Sequence, residues 1–279
     1  MRPACGNWLI FGNSILARRI TLWDNLGYDM KLIGVIGGIG PESTIEYYRA
    51  LLAEGTRHGV GAPPIIINSI DMKRLRRLVE ADRLGEIADY LVVEVGRLAS
   101  AGAAFGLIAA ATPHLVFDDL RLRSAIPLLS LVEACCDEAK SRGLTRIGLF
   151  GTRFTMLGNF FPKVFAKANI TLVIPGEEDR NFIHRIYFDE LVNGMVLPET
   201  HQRLMYIVDR LKEQQQVQAL ILGGTELSLI FRGDSAAGIP VLDATRIHAA
   251  AAVTTASRDP CDWEPCHRGK SALAPALRW

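Results

Sequence analysis

The sequence predicts an α/β protein with two pseudo-symmetric, doubly wound parallel-sheet lobes and a functional site in the cleft between them. The first observation is that short apolar runs alternate with longer stretches of helical period. Short, wholly apolar strands separated by helices are typical of a parallel sheet that is covered on both faces. The predicted strands are Leu32–Ile36, Ile65–Ile67, Phe105–Ala111, Pro127–Leu129, Ile147–Phe150, Leu172–Ile174, Val217–Leu222 and Pro240–Leu242.

The second observation is an internal repeat. Three segments of the first half recur in the second half, 114, 113 and 113 residues later; they begin at Ile33 and Ile147, at Leu107 and Leu220, and at Ile126 and Ile239. Any α/β chain repeats strand–glycine patterns to some degree, but three nearly equal offsets favour two similar lobes. The last segment comes too late to begin a third unit, so we expect it to return to the first lobe. The predicted lobes are residues 31–125 plus 226–253, and residues 126–225.

Composition and charge narrow the class of protein. The chain has 279 residues, is 49% hydrophobic and carries a formal net charge of +1. It therefore buries a sizeable core and has no global field to attract nucleic acid or an anionic membrane. No apolar run reaches the roughly eighteen residues of a membrane span. Five cysteines are too few for a disulfide scaffold, and their odd number favours a reduced, cytoplasmic compartment.

The two ends differ from the repeated middle. The first strong strand begins just after Met30, so we expect residues 1–29 to be an N-terminal extension. We expect residues 254–279 to be a C-terminal tail. Cys261, Cys266 and His267 in that tail are three potential zinc ligands, but a closed structural zinc site needs four. The sequence therefore predicts no metal site.

Ligands of doubly wound folds bind outside the carboxyl ends of the strands, so the candidate residues are sought there. After the first strand, Gly38, Ile39 and Gly40 precede Pro41, which suits the first turn of a helix. Free amides at that helix start would hold a carboxylate or a phosphate. The alternative is a tight strand–helix turn with no ligand.

Hydroxyl and imidazole groups follow the third and fifth strands. Thr112 offers a hydroxyl, and His114 an imidazole that titrates near neutrality. The alternative for His114 is a helix-start residue that is hydrogen-bonded to the backbone. Thr152 and Thr155 offer two further hydroxyls at another helix start.

Charged residues complete the candidate set. Glu226 follows the strand at Val217–Leu222 and can be a base, or merely a favourable charge in the first turn of a helix. Lys73 and Arg74 open a basic run that extends to Arg77, and one of its members can reach the cleft to pair with an anion. The alternative is a solvated helix face.

Four motifs, taken together and in order, resemble the cofactor-independent aspartate/glutamate racemases over residues 31–253. They are GGIGPEST at Gly37–Thr44, AATPH at Ala110–His114, LGGTEL at Leu222–Leu227 and IPVLD at Ile239–Asp243. The resemblance implies two pseudo-symmetric α/β lobes. It also implies racemisation by two cysteines, one from each lobe, which act as thiolate and thiol on opposite faces of the substrate. Backbone amides and hydroxyls hold the carboxylates, without pyridoxal phosphate or metal.

The sequence departs from this family at both thiols. The family motif Cys-Asn-Thr-x-His is matched by Ala110, Ala111, Thr112 and His114. The motif Gly-Cys-Thr-Glu is matched by Gly223, Gly224, Thr225 and Glu226, so Gly224 takes the place of the cysteine. The resemblance implies that Thr225 is among the residues that bind and position the substrate. A methyl group and a hydrogen cannot carry a proton, which excludes the two-thiol mechanism. His114 and Glu226 are then the remaining titratable candidates for catalysis, one in each lobe.

The sequence therefore predicts an isomerase of amino-acid metabolism, a racemase or epimerase that acts on aspartate, glutamate or a related carboxylic acid without a cofactor. The alternative is a catalytically inactive protein of the same fold that binds a small carboxylate as a sensor or sequestering protein. In either case the expected partner is a small amino acid or dicarboxylate, and not nucleic acid or membrane. A homodimer is compatible with the sequence.

Overall fold

A computed structural model describes residues 30–257, and its fold is α/β with parallel sheets flanked by helices. The elements of the first half are β1 (Ile33–Gly37), α1 (Pro41–Arg57), β2 (Ile65–Ser69), α2 (Met72–Glu80), α3 (Leu84–Ser100), β3 (Phe105–Ile108), a 3₁₀ turn (Thr112–Val116) and α4 (Phe117–Arg123). The predicted extension, residues 1–29, and the potential zinc ligands of the tail lie outside the described residues.

The second half again alternates strands with helices. Its elements are α5 (Leu131–Ser141), β4 (Arg146–Phe150), α6 (Arg153–Leu157), α7 (Phe160–Lys167), β5 (Thr171–Val173), α8 (Glu177–Asp189), a 3₁₀ turn (Leu191–Asn193), α9 (Pro198–Gln215), β6 (Ala219–Leu222), α10 (Leu227–Ile230), β7 (Ser235–Ala236), β8 (Ile239–Asp243) and α11 (Ala244–Ser257). Within the described range, no helix is both long and apolar enough to cross a membrane.

The two sheets have matching strand orders. In the first sheet β1 lies between β2 and β3, with all three strands parallel. In the second sheet β4 lies between β5 and β6 in the same way, and β8 and then β7 extend the sheet beyond β6. The sheets thus reproduce the sequence repeat, and the predicted fold class is confirmed.

The predicted course of the chain between the lobes is wrong at two segments. Strand β8 pairs with β6 of the second sheet and does not return to the first lobe. Its counterpart around Leu128 forms a parallel bridge with Gly106 of β3, so it extends the first sheet and does not open the second lobe. Each repeat therefore completes its own sheet. Helix α11 does pack against α1, as a return to the first lobe would require.

The core explains why the lobes are held together. One apolar cluster joins both sheets through α1, α5 and α11, and its buried members include Tyr47, Cys135 and Ala249. Two further clusters cover the outer face of each sheet. Helix α11 continues to Ser257, beyond the predicted start of the tail at residue 254, and Ala256 accepts a backbone hydrogen bond from Lys31 beside β1.

Candidate active site

A cleft of about 920 Å³ lies at the carboxyl ends of both sheets. Its walls come from the loop after β1, from α2, from the end of β3, from the start of α6, from α8 and from the loop after β6. Most of the residues that the sequence predicts as site residues line this cleft. These are Ile39, Gly40, Thr112, Thr152, Thr155, Thr225 and Glu226, together with the two substituted thiol positions, Ala110 and Gly224.

The loop after β1 is a locked turn. Gly38 has a left-handed φ of 79°, which only glycine adopts without strain, and a Cβ there would lie 2.5 Å from Ser69 Oγ. Its N–H donates to Thr44 Oγ1 at 2.8 Å, and Thr44 Oγ1 donates to the Gly40 carbonyl at 3.1 Å. The Gly38 amide is therefore not offered to a ligand. The tight-turn alternative describes Gly38, while Ile39 and Gly40 face the cleft.

A hydrogen-bonded network crosses the cleft at Glu226. The Glu226 carboxylate is buried and accepts from Ser43 Oγ of α1 at 3.1 Å and from Thr225 Oγ1 at 2.8 Å. The hydroxyl oxygens of Ser43 and Thr225 also contact each other, and because each hydroxyl has a single proton, a hydrogen bond between them replaces one of the two bonds to the carboxylate. Tyr187 of α8 donates its phenolic proton to Glu226 Oε2, the oxygen that also accepts from Thr225. Hydroxyl groups from both lobes thus provide the hydrogen-bond partners that a buried carboxyl group requires.

Tyr187 fills the space beside the missing second thiol. A Cβ built on Gly224 would lie 2.6 Å from Tyr187 Cε2 and 2.8 Å from its hydroxyl oxygen. The ring is buried and lines the cleft. Burial, and then the neighbouring charge of Glu226, raise the pKa of Tyr187 well above its usual value, so the phenol is protonated at neutral pH. The sequence offered no sign of this role, because Tyr187 shares the apolar face of an ordinary amphipathic helix.

Gly224→Ala is expected to lower the free energy of unfolding by about 1–3 kcal/mol, since the new methyl group overpacks against the Tyr187 ring. The measurement is equilibrium unfolding in urea. Gly85→Ala is the matched control: this glycine lies in α3 with nothing within 4 Å of a built Cβ, so the same change is expected to be neutral or stabilising. Equal stability of the Gly224→Ala variant and the parent would contradict this account of the ring.

Within the repeat, the end of β3 is equivalent to the loop that holds Gly224. It is apolar at the position where the resemblance implies the first thiol of the family. Ala110 and Ala111 line the cleft at the end of β3, and Thr112 adds the hydroxyl that follows them. His114, the predicted catalytic imidazole of this lobe, does not line the cleft. Its ring is buried and stacks on Phe117 with centroids 4.8 Å apart.

Both ring nitrogens of His114 are held by the backbone. Leu131 N–H donates to Nε2 at 3.1 Å, so Nδ1 carries the proton and lies 3.2 Å from the Ala111 carbonyl. Burial lowers the pKa of His114 to about 4. This imidazole is neutral and has no free position for a substrate proton. The geometry matches the helix-start alternative and removes the basis for a catalytic role.

A second buried histidine makes stability depend on pH. Burial, with a smaller contribution from His114, lowers the pKa of His248 to about 3. Below about pH 6.5 the imidazoles of His114 and His248 become protonated in the unfolded chain but stay neutral in the folded protein. The free energy of unfolding therefore falls as the pH decreases toward the pKa values of the folded state. The slope is about 1.4 kcal/mol per pH unit for each histidine.

We therefore expect the two histidines to lower the free energy of unfolding by about 2 kcal/mol between pH 6 and pH 5, measured by urea unfolding. His248→Gln is expected to reduce the pH dependence, whereas His201→Gln, at an exposed position of α9, is expected to preserve it. NMR spectra that show either buried ring protonated at pH 5.5 would refute this expectation.

The two threonines at the start of α6 have a structural function. Thr152 Oγ1 accepts from the Thr155 N–H at 3.3 Å and thereby caps the helix, and the two hydroxyl oxygens are 3.2 Å apart. Both side chains are buried at the cleft wall. Between them, the N–H of Arg153 donates to His184 Nδ1 at 3.2 Å, which joins α6 to α8.

The basic run reaches the cleft at a different residue from those predicted. Lys73 and Arg74 do not line the cleft, and the Arg74 guanidinium lies 4.4 Å from the centre of the Tyr90 ring. Asp71 caps α2 through the amides of Lys73 and Arg74, and this fixes the phase of the helix. Arg76 is the member that lines the cleft, and its Nε donates to Glu80 Oε1 at 2.7 Å.

The described residues of the cleft include no cysteine and no group of side chains suited to bind a metal ion. Cys135 and Cys136 are buried in α5, where desolvation raises the pKa of both thiols. Residues 30–257 contain no group of three or more His, Cys, Asp or Glu side chains suited to a metal ion. Beside the Gly224 position, the cleft carries the Glu226 carboxylate and the Tyr187 phenol, which are joined by a hydrogen bond.

Comparison with known proteins agrees with this architecture. The model of the Asp/Glu/Hydantoin racemase family matches residues 36–252. A candidate Asp/Glu racemase of Yersinia pestis is 33% identical with a TM-score of 0.75, over 81% of this chain and 98% of its own. An aspartate racemase homologue of Pyrococcus horikoshii is 33% identical with a TM-score of 0.72, over 82% of this chain and 100% of its own.

A more distant structure shares the fold alone. Aspartate racemase of Picrophilus torridus is 20% identical with a TM-score of 0.63, over 81% of this chain and 94% of its own. The family match spans most of the chain and includes the loop after β1, the end of β3 and the loop after β6. On this match the chain belongs to the Asp/Glu/hydantoin racemase family.

Proposed function

We propose that this protein is a cofactor-independent isomerase of the racemase type, and that it moves the α-proton of a small carboxylic acid with Tyr187 and Glu226 in place of a thiol. The observation that carries this proposal is the position of the Tyr187 ring. It lies within 3.1 Å of the Cβ that Gly224 lacks, and its hydroxyl donates to the Glu226 carboxylate. Aspartate, glutamate and related acids are the starting candidates for the substrate.

The proton transfer balances within this pair. The α-proton passes to the phenolic oxygen of Tyr187 while the phenolic proton passes to Glu226 Oε2. The products are a carbanion, a neutral phenol and a protonated carboxyl group, and the reverse transfer restores the substrate. Because the phenol is protonated at rest, Glu226 is the group that accepts the net proton.

The remainder of the inner cleft suits a carboxylate. The first turn of α1 begins at Pro41, and the amides of Glu42 and Ser43 there have no partner within the helix. Thr112, which follows β3 in the same lobe as α1, adds a hydroxyl. No lysine is among the described residues that line the cleft.

The test is α-proton exchange in deuterated water over a panel of L- and D-amino acids, followed by mass spectrometry and chiral chromatography. Because Tyr187 and Glu226 serve one face of the substrate and Ala110 faces the other, we expect deuterium incorporation to exceed inversion. Absence of deuterium in every amino acid of the panel would refute the proposed chemistry.

A second candidate function is binding without turnover. The methyl group of Ala110 and the raised pKa of Tyr187 favour it, because neither provides the ready base that racemisation requires. In that case an amino acid or dicarboxylate would raise the unfolding temperature and yet show no deuterium exchange. Measured exchange would exclude this candidate.

A further inference from the structure

We propose that the outer half of the cleft binds a large, uncharged apolar group on the substrate, so that the ligand is a carboxylic acid with an aromatic or branched apolar side chain and not an acidic one. This inference rests on the proposed function, which places the carboxylate and the α-carbon at the inner end. It concerns an outer subsite formed by Met72, Leu75, Val79, Phe154, His184 and Phe188.

The outer subsite has an apolar wall from each lobe. On α2, Met72, Leu75 and Val79 share one helical face that lines the cleft. On the other side the His184 ring makes edge contacts with Phe154 and Phe188, at centroid distances of 6.4 and 5.0 Å. An aromatic wall of this kind offers a large apolar surface to a ring or a branched chain.

Three side chains of the outer subsite are exposed although they are apolar. Met72 is 39% exposed, Phe154 36% and Phe188 41%, and all three line the same cleft. Exposed apolar side chains that gather in one concave site, and do not scatter over the surface, indicate a ligand that removes them from water.

Charge at the mouth does not favour an acidic side chain. Three arginines line the cleft, Arg76, Arg153 and Arg185, together with three exposed carboxylates, Glu42, Glu80 and Asp189. Arg76 is already paired with Glu80 at 2.7 Å. Burial, and then the charge of Arg153, lower the pKa of His184 and favour its neutral form. Arg153 and Arg185 form no ion pair with another described residue, but the charges of Glu42 and Asp189 offset theirs, so the described mouth has no net positive charge to attract a second carboxylate.

The volume of the cleft also favours a ligand with a large apolar group. The cleft holds about 920 Å³, and sites of roughly 300–1,000 Å³ accept drug-sized ligands. An aspartate bound at the inner end would leave Met72 and Phe188 in contact with water. A phenyl or branched group attached to the same α-carbon would extend toward them and displace that water.

The test is calorimetric binding of L- and D-phenylalanine and L- and D-leucine, compared with L- and D-aspartate and glutamate, to the full chain. We expect at least one apolar amino acid to bind about ten-fold more tightly than either acidic one. Phe154→Ala is expected to weaken that binding by about ten-fold, since it removes the ring from the wall. Leu157→Ala is the matched control, because Leu157 is exposed on the same helix and does not line the cleft.

A gain-of-specificity variant keeps the test independent of any loss of folding. Met72→Arg places a cation in the outer subsite and is expected to strengthen glutamate binding while it weakens phenylalanine binding. Val93→Arg, at an exposed position of α3 outside the cleft, is expected to change neither. Tighter binding of acidic than of apolar amino acids, equal effects of Phe154→Ala and Leu157→Ala, or no binding of any probe would each overturn the outer subsite.

These outcomes are distinguishable from failure of the proposed function, because calorimetry reports binding and deuterium exchange reports chemistry. Phenylalanine binding that depends on Phe154 without any exchange would retain the subsite and refute the proton transfer. Exchange that is restricted to aspartate or glutamate would retain the proton transfer and refute the subsite.

Discussion

Tyr187→Phe is expected to reduce α-proton exchange by at least about 100-fold, because general acid–base catalysis by a positioned group contributes roughly 10²–10⁴-fold. The substitution removes the hydroxyl that donates to Glu226 and keeps the ring beside Gly224. Glu226→Gln is expected to cause a loss of similar size, since an amide cannot take up the net proton. Initial exchange rates in deuterated water, at saturating amino acid, measure both effects.

A matched control separates this role from a general effect of losing a phenol. Tyr206 is 64% exposed on α9 and outside the cleft, so Tyr206→Phe is expected to leave the rate unchanged. Ligand affinity and unfolding temperature of Tyr187→Phe report whether the site itself has survived. Parental exchange in a folded Tyr187→Phe variant would show that the phenol carries no proton.

The fold was predictable because its strands are short, wholly apolar and regularly spaced. The repeat predicted two sheets of like order, and β1 to β3 and β4 to β6 have that order. The sequence did not predict which strands pair, because pairing depends on tertiary packing and not on the apolar content of each strand. Strand β8 therefore extends the second sheet although its distance along the chain suggested otherwise.

The residues of the candidate site could be predicted to lie together where topology alone brings them to one edge. Thr112, Thr225 and Glu226 follow strand ends, and parallel strands place such residues at one edge. The basic residue of α2 that reaches the cleft is determined by its position around the helix. Arg76 lies one turn beyond Met72 on the same face, whereas Lys73 lies on a different face.

The place of Tyr187 in the cleft could not be predicted from the sequence, for a different reason. It lies among the buried residues of α8, and only the three-dimensional structure brings its ring against Gly224. His114 illustrates the converse, since the sequence shows a titratable group and only the fold shows that both of its nitrogens are bound by the backbone.

Ala110→Cys is expected to give the largest increase in the rate of racemisation. In the proposed mechanism Tyr187 and Glu226 serve the face of the substrate beside Gly224, and Ala110 lines the cleft at the equivalent strand end of the other lobe. A thiol at position 110 would supply the missing proton donor on that face, so exchange on one face becomes inversion. We expect the rate of racemisation, followed by chiral chromatography, to rise by about 100-fold.

Two further variants make this prediction specific. Ala110→Ser has almost the size of the cysteine variant but a hydroxyl of far higher pKa, so it is expected to retain the parental rate. Adding Gly224→Cys is expected to reduce the gain, because the new Cβ collides with the Tyr187 ring and displaces its hydroxyl from Glu226. Unchanged racemisation in a folded Ala110→Cys variant that still exchanges its α-proton would mean that the two lobes do not address opposite faces of one substrate.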